Sequence, residues 1–215
     1  MAGGSGQRMQ AAVPKQFLLL NGLPVLMHTL QRFHSALPEA QLILVLPETH
    51  FPYWEALVKD FDFAVPHLQV AGGETRFHSV KNGLAKVDAG LVAVHDGVRP
   101  LVSAATIHRC FAAAQENGAA VPVMAVNEST RMLNSDGSNV ALERASLRTV
   151  QTPQCFDVGF LKLAFEQAYR SDFTDDASVM EAAGHRISLV EGNEENIKIT
   201  RPSDLLLAEI FLKKI

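Results

Sequence analysis

The residues best suited to chemistry stand at the beginning of the chain, where Gly3-Gly4-Ser5-Gly6 precedes Arg8 and Lys15. Glycine and serine remove side-chain bulk, so the backbone N–H groups of such a loop can approach a phosphate closely. Arg8 and Lys15 add two cations that could neutralise charge growing at one phosphorus atom. The combination predicts a nucleoside triphosphate site, and the alternative is a mobile glycine-rich terminus.

Two well-known phosphate loops are excluded. A Walker A loop ends in Gly-Lys-Ser/Thr, whereas Gly6 is followed by Gln7-Arg8. The dinucleotide-binding fingerprint needs a third glycine where Met9 stands, and an acidic residue about twenty positions later. Leu23–Thr29 contains no acidic residue.

Composition predicts one cytoplasmic domain over residues 1–215. Hydrophobic residues make up 47% of the chain and charged residues 20%, which suits a filled core. No apolar run approaches the roughly 20 residues that span a bilayer, so no membrane partner is expected. The only cysteines, Cys110 and Cys155, fit a reducing compartment, and the eight histidines show no metal-binding spacing. A net charge of −4 argues against nucleic acid but not against a small phosphorylated substrate.

Strand-like and helix-like apolar patterns alternate along the chain, which predicts an α/β fold with a mostly parallel sheet covered by helices on both faces. Ligands of such sheets bind at the carboxyl ends of the strands. The predicted strands are Gln41–Leu46, Leu91–His95, Ala119–Val126 and Arg186–Val190. The predicted helices are Pro24–Ser35, Phe51–Phe61, Arg76–Lys86, Ala104–Asn117, Val158–Tyr169 and Asp204–Lys213.

Two segments depart from this alternation. Residues 127–147 contain the hairpin signal Asn134-Ser-Asp-Gly137 between Thr130–Leu133 and Val140–Leu142, which predicts a protruding β-arm; an irregular surface hairpin is the alternative. At the amino end, a buried strand normally feeds a phosphate loop, yet only Met1 and Ala2 precede Gly3. Two explanations therefore stay open, a truncated or misplaced start and a naturally short terminus.

Motifs in a defined order then suggest a family. They are Gly3–Met9 with Pro14-Lys15-Gln16, Gly72-Gly73-Glu74-Thr75-Arg76 with Ser79, His95-Asp96-Gly97-Val98-Arg99-Pro100, Gln151-Thr152-Pro153-Gln154, and Asn196-Ile197-Lys198-Ile199-Thr200-Arg201-Pro202. Over nearly the whole chain this resembles the 2-C-methyl-D-erythritol 4-phosphate cytidylyltransferases of the non-mevalonate isoprenoid route, lacking only the first strand of that family. The resemblance implies a Rossmann-like nucleotidyltransferase fold.

The resemblance also implies a reaction: CTP and methylerythritol phosphate give the CDP-alcohol and pyrophosphate. The substrate phosphate is already a nucleophile near neutral pH, so catalysis rests on positioning and charge neutralisation. A divalent cation, normally Mg²⁺, shares the triphosphate charge. A homodimer follows as well, because the family exchanges the β-arm between protomers.

Roles carry over residue by residue. Arg8 and Lys15 match the cations that stabilise the transition state, and Arg144 and Lys198 match those that hold the incoming phosphate. Ala2, Gly3 and Gly4 match the backbone that frames the nucleotide, and Gly73, Glu74 and Ser79 match positions that contact cytosine or support its pocket. Asp96 and Arg99 match residues that face the ribose, the metal or the second substrate. Thr152, Thr174 and Ser129 match positions that line the polyol site. Glu74 replaces a frequent Asp, and Ser129 replaces a usual Thr, with Thr130 as an alternative register.

Each assignment has a simpler alternative. Arg99 would only close a strand end, Asp96 would cap a helix, and Arg144 would be a solvated cation. Lys198 would protect an edge strand. At the level of function, the alternatives are a cytidylyltransferase for another polyol phosphate, above all ribitol 5-phosphate, and a non-catalytic nucleotide sensor.

Overall fold

The computed structural model describes residues 1–2 and 13–213, so the predictions on Gly3, Gly4 and Arg8 lie outside the described residues. The strands are β1 (Leu19–Leu20), β2 (Leu23–Pro24), β3 (Ile43–Leu46), β4 (Leu68–Ala71), β5 (Leu91–Val94), β6 (Ala119–Ala125), β7 (Arg131–Leu133), β8 (Asn139–Ala141), β9 (Arg148–Val150), β10 (Gln154–Asp157) and β11 (Ser188–Glu191). The helices are α1 (Val25–Ala36), α2 (Phe51–Asp60), α3 (Arg76–Leu84), α4 (Ala104–Asn117), α5 (Val158–Ala164), α6 (Asp176–Ala182) and α7 (Pro202–Leu212). Short 3-10 turns occupy Lys15–Phe17, Glu48–His50 and Arg144–Ser146.

The central sheet has the strand order β11-β6-β10-β5, and β9 pairs with the far end of β6. Strand β10 is antiparallel to both β5 and β6, whereas β11 is parallel to β6. Strands β5, β6 and β11 therefore run in one direction, and β3 and β4 form a separate parallel pair. The prediction of an α/β fold on a mostly parallel sheet is confirmed, with β9 and β10 as antiparallel members. As β10 runs against β5, its amino end lies beside the carboxyl end of β5; we call this side of the sheet the carboxyl edge.

Helices cover both faces of the sheet, as successive residues of β10 show. Cys155 packs with Cys110 of α4, whereas the next residue, Phe156, packs with Phe77 of α3 and Leu161 of α5. Neighbouring side chains of a strand point to opposite faces. Helix α4 therefore lies on one face, and α3 and α5 lie on the other, as predicted.

Most predicted helices are present with small shifts at their ends, and α4 has the predicted bounds. The Ser103 hydroxyl caps its amino end, and Gly118, with φ of +80°, ends it. The predicted helix Val158–Tyr169 is the exception, because α5 ends at Ala164. The chain turns there, and Phe165 and Phe173 both stack on Phe77, with ring centroids 4.6 and 5.8 Å away.

A cavity of about 440 Å³ separates β3 from β5. It is lined by apolar side chains that include Leu44 of β3 and Val92 of β5. Among the described residues, no strand pairs with the edge of β3 or of β5 that faces this cavity. Met1 and Ala2 bridge the two strands at the carboxyl edge.

The β-arm is an antiparallel hairpin of β7 and β8. Its turn falls at the predicted site, where the Gly137 N–H donates to the Asn134 carbonyl at 3.1 Å. The apolar side chains of the arm are exposed, with Leu133 77% accessible. Met132 and Val140 are about half exposed, at 49% and 45%.

The described helices include none that combines the length and apolar character needed to cross a bilayer.

Candidate functional site

The site is built around Asp96, which follows β5 at the carboxyl edge. Its Oδ2 accepts from Lys198 Nζ at 3.0 Å and from Arg99 Nε at 3.2 Å. Arg99 comes from the same loop, whereas Lys198 comes from the segment after β11. The structure therefore brings together three of the residues that the sequence singled out.

The charges in this cluster favour an ionised carboxylate. Burial by itself would raise the pKa of Asp96, but the cations of Lys198 and Arg99 outweigh it and hold that pKa well below its ordinary value. Asp96 is therefore a permanent anion at working pH. The Lys198 side chain is 44% exposed, so its ammonium can contact a ligand while it pairs with Asp96.

A chain of hydrogen bonds fixes the backbone at Asp96. The Asp96 N–H donates to the Thr152 hydroxyl at 3.1 Å, and that hydroxyl lies 3.0 Å from His95 Nδ1. His95 Nε2 lies 3.0 Å from the Arg99 carbonyl, which can only accept, so we assign the ring proton to Nε2. Thr152 then donates to Nδ1. The side chains of Thr152 and His95 are both buried, so within this chain Thr152 holds the loop that contains Asp96.

Gly73 and Glu74 lie on an exposed loop between β4 and α3. The Gly73 N–H donates to the buried Ser79 hydroxyl at 3.0 Å, which ties the loop to the first turns of α3. A Cβ added at Gly73 would lie 2.5 Å from the Cβ of His78, so this close approach requires glycine. Ser79 supports the loop, and the side chain of Glu74 is left on the surface.

Lys198 is carried by a segment without regular secondary structure, rather than by an edge strand. The preceding Asn196 is fully buried, and its amide donates to the Thr152 carbonyl at 2.8 Å. Its own backbone carbonyl accepts from Arg99 Nη1 at 2.7 Å. The segment is thus anchored to both neighbouring loops, which positions Lys198 against Asp96.

Ala2 and Lys15 flank residues 3–12 in the sequence, and contacts of their neighbours fix both near the carboxyl edge. The Met1 carbonyl accepts from the Gly97 N–H at 2.8 Å, and the Ala2 N–H donates to the Val45 carbonyl at 3.0 Å. The buried Gln16 amide donates to the Ala2 carbonyl at 2.9 Å. Lys15, the neighbour of Gln16, is therefore held near the carboxyl ends of β3 and β5.

The remaining predicted residues are exposed. Thr174 directly precedes α6, with Asp175 as the helix cap. Ser129 and Arg144 belong to the β-arm, where Arg144 Nη1 donates to the Asn127 carbonyl at 2.9 Å. Within the described part of this chain, the arm is separate from the Asp96 cluster.

Sequence reasoning missed three residues that shape the site. His95 had only the lack of a metal-binding spacing to describe it, although it links the Thr152 hydroxyl to the Arg99 carbonyl. Arg76, which directly follows the Gly73-Glu74 loop, forms an ion pair with the buried Asp176. The only sequence signal for them was their position within or beside the motifs, because spacing does not reveal contacts between distant residues.

The described residues contain no cluster of three or more histidine, cysteine or acidic side chains that could hold a metal by themselves. Mg²⁺, however, is usually bound by one or two carboxylates together with substrate phosphates. The ionised carboxylate of Asp96, with 13% of its side chain exposed, fits that donor set. A magnesium ion would therefore need the nucleotide to complete its coordination.

The chain is similar to known proteins over nearly its whole length. A family model described as IspD, 2-C-methyl-D-erythritol 4-phosphate cytidylyltransferase, matches residues 1–214. A protein of that name from Porphyromonas gingivalis is 53% identical over 214 residues, covering 99% of this chain and 95% of its own length. One from Bacteroides fragilis is 51% identical over 213 residues, covering 99% and 97%. The crystal structure of 2-C-methyl-D-erythritol 4-phosphate cytidylyltransferase from Thermus thermophilus is similar with a TM-score of 0.80 and 33% identity, covering 99% of this chain and 96% of that one. The chain belongs to the 2-C-methyl-D-erythritol 4-phosphate cytidylyltransferase family.

Proposed function

We propose that the protein transfers a cytidylyl group from CTP to 2-C-methyl-D-erythritol 4-phosphate, giving the CDP-methylerythritol product and pyrophosphate. Membership of the family over residues 1–214 supports this activity. So do the relatives named 2-C-methyl-D-erythritol 4-phosphate cytidylyltransferase, which are 53% and 51% identical to this chain. Among the structural observations, the Asp96 cluster carries the proposal. It brings a lysine and an arginine from separate loops to the edge of the sheet where α/β proteins bind their ligands.

The reaction is a displacement at phosphorus. An oxygen of the methylerythritol phosphate forms a bond to the α-phosphorus of CTP, and the bond from that phosphorus to the bridging oxygen breaks. The bonding electrons leave with pyrophosphate. No proton has to be removed from the nucleophile, because a phosphate monoester is already largely ionised near pH 7.

The task of the protein is then to align two anions and neutralise their charge. Lys198 is suited to the incoming phosphate, because its ammonium is accessible and its partner Asp96 fixes its position. Lys15 is suited to the α-phosphate, because Gln16 and Ala2 hold its turn at the carboxyl edge. Arg8 would assist it, although it lies outside the described residues.

We also propose Mg²⁺ as the cofactor, with Asp96 as its protein ligand. The ion, when bound, would share the negative charge of the triphosphate. The carboxylate of Asp96 supports this role, since it is an ionised oxygen ligand of the kind that Mg²⁺ prefers.

A homodimer in the cytoplasm completes the proposal. The exposed apolar side chains of the β-arm, Leu133 above all, are suited to burial against a second copy. Arg144 of one protomer would then serve the site of the other. Two buried free cysteines, Cys110 and Cys155, are consistent with a reducing compartment.

The test is an assay of pyrophosphate release from CTP and Mg²⁺ with each of two acceptors, methylerythritol phosphate and ribitol 5-phosphate. We expect kcat/KM to be at least about a hundredfold higher with methylerythritol phosphate. Faster turnover of ribitol phosphate would contradict the substrate. CTP binding without pyrophosphate release would contradict the activity and favour a nucleotide sensor. Neither alternative is favoured at present, because the named relatives are methylerythritol phosphate enzymes.

A further inference from the structure

Arg76 and Asp176 form a two-pronged ion pair behind the proposed nucleotide site. Arg76 Nη1 lies 2.7 Å from Oδ1 of Asp176, and Nη2 lies 2.5 Å from Oδ2. The Asp176 side chain is fully buried, whereas 34% of the Arg76 side chain is accessible. One side of the guanidinium is thus bound to the carboxylate while part of it faces solvent.

The two partners begin two different helices, and each directly follows a proposed ligand segment. Arg76 is the first residue of α3, immediately after the Gly72–Thr75 loop that is proposed to contact cytosine. Asp176 is the first residue of α6, immediately after Thr174-Asp175, where Thr174 is proposed to contact the polyol. The ion pair therefore joins the ends of two segments proposed to contact different substrates.

The Asp176 end is itself fixed from the central sheet. Gln154, the first residue of β10, accepts the N–H groups of Asp176 and Ala177 with its Oε1 at 3.1 and 3.0 Å. Its Nε2 donates to Asp175 Oδ2 at 2.8 Å. Asp176 is therefore held in place by the sheet, and the ion pair in turn holds Arg76 and the loop that precedes it.

We propose that Arg76 and Asp176 are positioning residues, which hold the Gly72–Thr75 loop and the Thr174-Asp175 segment at a fixed separation so that the nucleotide and the polyol phosphate are aligned. The identity of the two ligands rests on the proposed function. The mechanical link between the two segments does not depend on that function.

Geometry, rather than stability, is the reason for such a pair. Removing two charges from water costs free energy that their attraction only partly returns, so a buried ion pair is a poor source of stability. A planar arginine fork on a carboxylate, in contrast, fixes both distance and angle. Sub-ångström alignment of this kind matters in a reaction that depends on the approach of two bound anions.

The chain contains a matched control on the same segment. Arg170 and Asp172 form an equally short two-pronged pair, with the Nη2 to Oδ2 distance also 2.5 Å, but both side chains are more than half exposed. This pair joins residues of one loop only. Loss of this pair removes an ion pair of the same type, but it leaves the Gly72–Thr75 loop connected to the Thr174-Asp175 segment.

Steady-state kinetics are the first test. We expect Asp176→Asn to lower kcat at saturating CTP and methylerythritol phosphate by about tenfold, because the two bound anions lose their alignment, and Arg76→Lys to give a smaller fall, because lysine keeps the charge without the fork. Asp172→Asn and Arg170→Lys should change kcat less than twofold. If Asp176→Asn does not fold, Arg76→Lys supplies the measurement. A wild-type kcat in a folded Arg76→Lys or Asp176→Asn variant would overturn the proposal.

Hydrogen–deuterium exchange without substrates is the second test, and it is independent of activity. In Asp176→Asn, or in Arg76→Lys, we expect the amides of Gly72–Thr75 and of Thr174-Asp175 to exchange several times faster. Asp172→Asn, whose loop runs into Thr174-Asp175, should leave the exchange of the Gly72–Thr75 amides unchanged. Faster exchange confined to the side of the substituted residue would overturn the link. If the link is present but the wild-type protein releases no pyrophosphate, the proposed function fails and the mechanical coupling stands.

Discussion

Lys198 Nζ lies 3.0 Å from Oδ2 of Asp96, although one residue follows β11 and the other follows β5. The two strands lie on opposite sides of β6 and β10 in the sheet, and their carboxyl ends meet at the same edge. The ammonium is thus directed by an anion that Arg99 also contacts. We consider this pairing the basis of phosphate recognition, because it orients a flexible cation before any ligand binds.

Replacing Lys198 by alanine should affect the acceptor phosphate more than CTP. We expect KM for methylerythritol phosphate to rise by about a hundredfold, because the bound phosphate loses a charged donor, whereas KM for CTP should change much less. The measurement is steady-state kinetics with each substrate varied in turn. Lys59→Ala, on the exposed side of α2, is the control and should leave both values unchanged. An equal effect on both substrates would contradict the assignment to the acceptor.

The part of the fold that local signals determine could be predicted from the sequence. Helix α4 has regular apolar spacing, a serine cap and a terminal glycine, so its bounds were correct. Strand β10 and helix α6 were missed, because Gln-Cys-Phe-Asp has little strand propensity and α6 has only seven residues. Both are formed by tertiary contacts, such as those of Gln154 with the α6 backbone.

The same distinction applies to the site. Asp96, Arg99 and Lys198 were predicted from ordered motifs, and the structure brings them together. The Arg76–Asp176 pair could not be predicted, because nothing local to either residue indicates its partner. The importance of His95 was hidden for the same reason.

Lys15→Ala should separate catalysis from binding. If its ammonium stabilises charge at the α-phosphate, kcat should fall by roughly two or more orders of magnitude, while the CTP dissociation constant rises much less. Isothermal titration calorimetry with CTP and a turnover assay provide the two quantities. A large loss of CTP affinity with nearly normal turnover would show instead that Lys15 only binds the nucleotide.

Arg144→Ala tests whether the β-arm serves a second protomer. Alone, it should impair the use of methylerythritol phosphate more than the use of CTP. If the arm crosses between protomers, a mixed dimer of Arg144→Ala and Lys15→Ala chains contains one intact site. Random mixing should therefore restore about a quarter of the wild-type activity, because half of the dimers are mixed.

The mixed dimers must first be demonstrated, for example by differently tagged chains that purify together. No restored activity in such dimers would contradict the exchange of arms. A protein that remains monomeric at assay concentrations and is fully active would contradict the dimer itself.

His95 should make stability depend on pH. Burial lowers its pKa to about 3, from an ordinary value of 6.5, so protonation favours the unfolded state. The stabilisation is complete above about pH 6.5 and is lost progressively as the pH falls toward 3. The charged groups that act on it are Asp96, Arg99 and the amino group of Met1.

In the window between about pH 6 and pH 4.5 most carboxylates are still ionised, so histidines dominate the pH dependence. Burial also lowers the pKa of His28, which therefore contributes to the slope of the wild type and of a His95 variant alike. One titrating group contributes a slope of about 1.4 kcal/mol per pH unit to the free energy of unfolding. Urea denaturation across the window should show this slope in the wild type. In His95→Gln, which keeps a donor and an acceptor but does not titrate, the slope should be smaller by about that amount. Equal slopes would show that His95 is not buried in its neutral form.

The cavity between β3 and β5 should accept an added β-strand. The facing edges of these strands carry backbone groups that no described strand pairs, and the walls are apolar. Met1 and Ala2 already bond to both sides, since the Met1 amino group donates to the His95 carbonyl and the Ala2 N–H donates to the Val45 carbonyl. A strand that ends at Met1 would continue this pairing along both edges.

An extension of about five β-branched residues ahead of Met1 should therefore raise the melting temperature by several degrees and slow amide exchange in β3 and β5. It would also replace the buried amino group of Met1, whose pKa burial lowers to about 6, by a neutral amide. An extension of equal length made of glycine and serine has the same amide but cannot fill the cavity. If both extensions shift the melting temperature equally, the gain comes from the amide, and the cavity is not a strand site.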